Sequence, residues 1–194
     1  AATCGGYTVA DGSQQFPDRY DNPNWRCPEL MVLWGNYPLR ANSDGFYGHW
    51  MIDLMKRGMK IMMVDPRVTW LSLKAEAHLR LRPGTDAALA LGMMNVIINE
   101  DLYDHDFVEK WTYGFDELAE RVQEYPPSKV AEITWVPEEE IKSAARMLAS
   151  AKPAAMQWGL AVDMVKEALP AGQAIVGLFQ IHGNVDVPGG NIFP

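Results

Sequence analysis

Two short apolar runs decide the fold: Leu30 to Trp34 reads LMVLW, and Lys60 to Val64 reads KIMMV. Neither alternates polar with apolar, as a strand wet on one face would. Each is apolar almost throughout, the pattern of a strand covered on both faces. Between them residues 46–57, FYGHWMIDLMKR, repeat apolar positions at helical spacing, and Gly58 supplies a C-terminal stop. Strand, helix and strand within 35 residues make a βαβ unit, whose strands are parallel.

The alternation continues outward from this unit. Residues 79–82 (LRLR) are expected as a third short strand, and residues 86–99 as a helix capped by Thr85 or Asp86. Leu89, Met93, Val96 and Ile97 give that helix its apolar face. Residues 104–111 and 115–124 read as two further helices, and Pro126-Pro127 breaks the chain. A helix over 137–150 has Pro137 near its first turn and Glu138 to Glu140 at the positive end of its dipole. Ala154 to Trp158 reads as a strand, 168–182 as an apolar helix and 183–190 (GNVDVPGG) as a loop. Residues 1–28 are rich in Gly, Asp, Asn and Pro and read as a loop-rich segment. Both ends read as cuts through a longer protein, and the C-terminal Gly-Gly-Asn-Ile-Phe-Pro has no strand or helix to close on. The expected fold class is α/β: a Rossmann-like parallel sheet with helices on both faces, spanning 29–194.

Composition removes several functions. The net charge of −8 leaves no basic face, so neither nucleic acid nor an anionic membrane is an expected partner. Two cysteines, Cys4 and Cys27, cannot build a four-thiolate zinc or iron–sulfur site. No GxGxxG and no GxxxxGK[ST] occurs, so an ordinary NAD site and an ATP-type P-loop are unsupported. His49, His78, His105 and His182 share no metal-ligand spacing.

In an open parallel sheet ligands bind at the carboxyl ends of the strands. Three such ends carry unusual polar sequence here. In Trp34-Gly35-Asn36-Tyr37-Pro38, a glycine lets backbone approach a ligand. In Asp65-Pro66-Arg67, the acid is placed for ribose hydroxyls and the arginine for a phosphate. In Arg82-Pro83-Gly84-Thr85-Asp86, a turn enters a helix, and Asp86 can accept two hydrogen bonds from a guanidine-like edge such as that of guanine. Each has a plainer alternative. Asp-Pro also ends strands, and Thr-Asp after Pro-Gly is ordinary helix-capping sequence.

Four segments in order carry a resemblance that covers essentially the whole chain: VLWGNYP, then MMVDPRVTW with LRLRPGTDAALALG, then AMQWGLAVD, then HGNVDVPGGN. They resemble the catalytic subunits of molybdopterin oxidoreductases of the dimethyl sulfoxide reductase type. The resemblance implies a bis-molybdopterin guanine dinucleotide cofactor with molybdenum or tungsten, and two-electron chemistry such as oxygen-atom transfer or dehydroxylation. Residues 29–194 would form the dinucleotide-binding domain. The Trp34-Gly35 turn and Asn36 would lie at the diphosphate, Asp65, Pro66 and Arg67 near ribose and phosphate. Asp86 would bind the guanine edge, with Gly84 and Thr85 shaping the turn. Trp158, Gly159, His182, Gly183, Asn184, Gly190 and Asn191 would line the pterin side. Residues 1–28 would lie near the active site, with Cys4 as a thiolate ligand to the metal. One position departs from the family's WGxNP pattern: Asn36 stands one place early and Tyr37 fills its slot.

By the same resemblance, the partners would be the remaining domains of the subunit, together with an iron–sulfur electron-transfer subunit and a membrane anchor. Any iron–sulfur cluster would belong to parts outside this chain. The sequence itself assigns no location, whereas relatives of this type imply an exported, membrane-associated enzyme of an anaerobic prokaryote. Other classes stay open at this stage: a stand-alone guanine-nucleotide-binding module, a non-catalytic interaction domain, and a tungsten hydratase of the same family.

Overall fold

A computed structural model describes residues 9–10, 26–41 and 47–192. Its centre is a four-stranded sheet of β2 (Leu30–Trp34), β3 (Lys60–Val64), β4 (Ala77–Leu79) and β5 (Ala154–Trp158), after a short β1 (Val9–Ala10). The order is β4-β3-β2-β5 and every pairing is parallel. Helices α1 (Pro38–Ala41) and α2 (Tyr47–Lys56) connect β2 to β3. The link from β3 to β4 holds only a 3-10 turn at Ser72–Lys74. The chain then runs through α3 (Asp86–Asn99), α4 (His105–Trp111), α5 (Phe115–Val122), α6 (Pro127–Thr134) and α7 (Glu138–Ser150) before entering β5. After β5 come α8 (Leu160–Asp163), α9 (Ala168–Gln180) and β6 (Asn191–Ile192), which pairs antiparallel with β1. None of the described helices is long and apolar enough to cross a membrane.

The unbroken apolar runs have the expected cause. Leu30, Val32 and Trp34 of β2 enter the core beneath α3, α7 and α9. Met31 and Leu33 enter a second core, with Tyr47, Trp50, Met51 and Leu54 of α2. Alternate side chains point to opposite faces of a strand, so a strand between two helical layers needs apolar residues at every position. The α/β parallel sheet with helices on both faces is therefore present as expected.

Four boundaries differ from the sequence reading. The third strand lies at 77–79 rather than 79–82. Its ladder ends where Val64 faces Leu79, because β3 turns away at Asp65, and the Arg82 amide instead donates to Thr134 O at 2.7 Å. Pro126-Pro127 begins a helix, α6, instead of only breaking the chain. Pro127 takes the first helical position, where a missing N–H costs nothing. The short α8 follows Gly159 unannounced. The C-terminal stretch does find a partner, since Asn191 and Ile192 pair with β1.

Helix α3 is the pillar of the larger core, and Gly92 lets α6 approach it. A Cβ at residue 92 would meet both methyls of Val130 at 2.8 and 2.9 Å. Ala normally gains about 1 kcal/mol over Gly inside a helix, while overpacking against a stiff β-branched side chain costs about 1–3 kcal/mol. Gly92→Ala is therefore expected to destabilise the fold by about 1 kcal/mol. Denaturant or thermal unfolding checks this; a raised Tm would show that α6 yields freely.

Candidate functional site

The sheet order places a topological switch point between β2 and β5. From β2 the chain crosses one way to β3 and β4, and then returns to the other side to form β5. At that point the two strands are held close beyond their carboxyl ends. The Gly159 amide donates to Trp34 O at 2.9 Å, and on the other side of β2 the Gly35 amide donates to Val64 O of β3 at 2.7 Å. A Cβ on residue 159 would sit 2.4 Å from Gly35 O, so only glycine fits. Gly35 has φ +58, the left-handed conformation that glycine adopts at low cost. Asn36 is buried directly against Gly159, and Tyr37 packs half-buried on the α2 core.

The neighbouring strand ends carry two buried acids. Asp65 is 1% exposed, and its carboxylate is gripped by Arg67. The Arg67 Nε donates to Oδ1 at 3.0 Å and Nη2 to Oδ2 at 2.7 Å, while the Arg67 amide also donates to Oδ1. This fork holds the guanidinium at the strand end, where the Arg67 side chain is 62% exposed. His78 Nε2 contacts Asp65 O at 2.8 Å and ties the turn to β4.

Asp86 opens α3 and is also buried. Its Oδ1 accepts from Trp34 Nε1 at 2.7 Å. Burial pushes its carboxyl up from the usual carboxylate range, and the indole N–H works against that rise. Thr85 stands at the cap position, but its hydroxyl donates back to Arg82 O at 2.7 Å, tightening the turn rather than capping the helix. The strand-end residues Trp34, Gly35, Asn36, Asp65, Pro66, Arg67, Gly84, Thr85, Asp86, Trp158 and Gly159 thus share one edge of the sheet.

The remaining residues singled out from the sequence lie elsewhere. Asn191 imitates a strand along the free edge of β5: its Oδ1 accepts from the Met156 amide at 2.7 Å and its Nδ2 donates to Met156 O at 3.0 Å. Asn184 Oδ1 accepts from the Ala154 amide at 3.0 Å, at the amino end of β5. Asn184 Nδ2 donates to His182 Nδ1, and the His182 ring is buried beside the backbone of Leu148 and Ala149. Gly183 and Gly190 make room for this loop, since a Cβ would meet Asp104 Oδ2 at 2.7 Å or Asn184 O at 2.6 Å. Cys4 lies outside the described residues, and Cys27 is a half-buried free thiol packed on the α2 core. Sequence reasoning missed two contributors: the Trp34 side chain, read only for its backbone, and His78. Neither has a sequence signal, because each acts through a residue far away in the chain.

Residues 11–194 match the family model described as molybdopterin oxidoreductase. The chain belongs to this family. It is 53% identical over 197 residues to an acetylene hydratase of Syntrophotalea acetylenica, covering 88% of this chain and 27% of that protein. Identity to formate dehydrogenase H of Escherichia coli is 35% over 166 residues, covering 86% of this chain and 23% of that protein. The solved structure of acetylene hydratase from Pelobacter acetylenicus superposes with a TM-score of 0.82 at 40% identity, over 98% of this chain and 24% of that one. The chain thus spans about a quarter of the length of these larger enzymes. The family implies a molybdopterin cofactor with molybdenum or tungsten.

Two stability predictions follow from the β5 edge. Asn191→Ala removes both partners of the Met156 peptide and leaves a buried N–H and C=O unmet, so a loss of about 2–4 kcal/mol is expected, read by denaturant unfolding. Burial, with Lys152 adding in the same direction, holds the His182 imidazole down to about 4. The unfolded chain takes up its proton near pH 6.5, whereas the folded one resists until about pH 4. Stability is therefore complete above the unfolded value and falls as pH drops through that window. His182→Asn should flatten this part of the pH–stability curve; an unchanged curve would remove His182 as its source.

Proposed function

We propose that residues 29–194 hold one guanine-dinucleotide arm of a bis-molybdopterin guanine dinucleotide cofactor, within the catalytic subunit of a molybdenum or tungsten enzyme. The observation that carries this reading is the chemistry gathered along one sheet edge. A close glycine-to-glycine contact lies at the switch point, an anchored cationic guanidinium stands at the next strand end, and a buried carboxylate opens α3. These fit the parts of such a ligand. The turn from Gly35 to Tyr37 offers backbone amides for a diphosphate, and Gly159 lets that turn pack directly against the end of β5. Arg67 can pair with phosphate through its exposed N–H groups. Asp65, already occupied by that guanidinium, acts on ribose and phosphate by orienting it. Asp86 accepts from the donor edge of guanine, with Gly84 and Thr85 shaping its turn. Trp158 and Gly159 face the pterin side. His182, Gly183, Asn184, Gly190 and Asn191 line the pterin side, and Asn184 and Asn191 also hold β5 in register. Cys4 is kept as the candidate protein ligand to the metal on the family resemblance alone.

When bound, the cofactor supplies the hard chemistry, two-electron oxygen-atom transfer or dehydroxylation of a small substrate. This chain binds it, orients it and excludes water from its nucleotide end. The remaining domains of the same subunit, an iron–sulfur electron-transfer subunit and a membrane anchor are the proposed partners. A second reading has a specific observation behind it: the 53% identity to an acetylene hydratase favours a parent that adds water without net redox change.

The test is the metal and nucleotide content of the parent polypeptide purified without oxygen. Molybdenum or tungsten is expected, with about two guanosine monophosphates per metal released by acid hydrolysis, since the cofactor rather than the protein carries both. A folded protein with neither would leave the binding-module and interaction-domain readings.

A further inference from the structure

Trp34 ends the central strand, and its indole does more than fill the core. Its Nε1 donates to Asp86 Oδ1 at 2.7 Å, joining positions 52 residues apart in the chain. Trp34 is fully buried and Asp86 is 8% exposed, so water competes little for either group. Leu30 and Val32, on the same face of β2, meet the same core with plain aliphatic side chains. Packing alone does not call for an N–H at this position. An indole N–H donates and cannot accept. It therefore stabilises Asp86 only while the facing oxygen is an acceptor, and it gains nothing from a carboxylic acid that turns its own O–H that way.

This matters because the charge state of Asp86 decides which base edge it can meet. Guanine presents two adjacent donors, N1–H and the exocyclic amine. Adenine presents an amine beside an acceptor nitrogen. A carboxylate takes two donors, whereas a carboxylic acid, one donor and one acceptor, matches adenine instead. Burial pushes Asp86 toward the acid; the Trp34 N–H opposes it first, and the backbone amides of Asp86 and Gly84 add to that opposition.

We propose that Trp34 is the positioning residue for base selection: its indole N–H fixes the plane of the Asp86 carboxyl and favours the charged carboxylate, whose two oxygens both accept, so that the site takes guanine and refuses adenine. The inference rests on the reading that Asp86 faces the base. Trp34 touches no ligand through its side chain in this account and acts only through Asp86.

The experiment measures equilibrium binding of GDP and ADP to the parent polypeptide, produced in a host that makes no molybdopterin cofactor. Wild type is expected to prefer GDP by at least about tenfold, the worth of one charge-assisted hydrogen bond. Trp34→Phe, checked for native circular dichroism, should lose about tenfold of that preference. Its GDP binding should also weaken on acidification at a higher pH than in wild type, a shift that a packing role would not produce. Asp86→Asn should lose the preference at every pH. A Trp34→Phe protein with wild-type preference and pH profile overturns the inference while leaving the site intact. If wild type shows no GDP preference, or Asp86→Asn keeps it, the reading of the site falls and the inference with it. Should Trp34→Phe not fold, fluorine NMR on 5-fluorotryptophan-labelled wild type replaces it. The resonance displaced in Asp86→Asn should shift with GDP and not with ADP; equal responses overturn the inference.

Discussion

The contact between the carboxyl ends of β2 and β5 governs everything at the candidate site. Gly159 donates its amide to Trp34 O and leaves no space for a side chain against Gly35 O. That closeness sets where the chain departs from each strand: into the Gly35 turn on one side and into α8 on the other. It also marks the switch point, the place where open α/β sheets generally take up ligands. Two glycines and a shared hydrogen bond are modest features, yet moving either strand end outward would separate the polar turns that converge there.

Electrostatics then distinguishes this edge from the rest of an acidic molecule. Two carboxylates are buried at neighbouring strand ends, and each is met by a fixed donor from its own surroundings: the Arg67 fork for Asp65, the Trp34 indole for Asp86. Burying an unmet charge costs heavily, so such acids persist only where donors compensate. Both donors come from the ends of β2 and β3 or the turns that follow, so the sheet and the polar site are built by the same residues. The opposite side of β5 follows a different logic. There the carboxamides of Asn184 and Asn191 satisfy a free strand edge that would otherwise need a further strand.

Much of this was legible in the sequence, for identifiable reasons. Doubly covered strands must be apolar at every position, so LMVLW and KIMMV announced a parallel sheet, and the residues just after them announced its polar carboxyl edge. Helix α3 was legible because its apolar positions recur with helical period over its 14 residues. The short strand β4 was misplaced because LRLR alternates like a strand while the ladder is limited by where β3 turns away, a tertiary fact. Helix α6 was hidden by a Pro-Pro pair that stops one element and starts the next. The asparagines of the last loop stood out because short polar side chains in a glycine-rich loop serve a backbone edge as well as a ligand; their bonds to Met156 and Ala154, which no local pattern reveals, are what the fold adds. The side-chain bond from Trp34 to Asp86 spans too much chain for any local pattern to reveal.

The central claim is that the cofactor is held at the carboxyl edge of the sheet. Hydrogen–deuterium exchange on the parent polypeptide, with and without cofactor, tests it most directly. Peptides covering Asn36–Tyr37, Asp65–Arg67, Gly84–Asp86 and Trp158–Gly159 should gain protection in the loaded protein, while the exposed helix α5 (Phe115–Val122) stays unchanged. No gain at the strand ends, or an equal gain over α5, would contradict this placement.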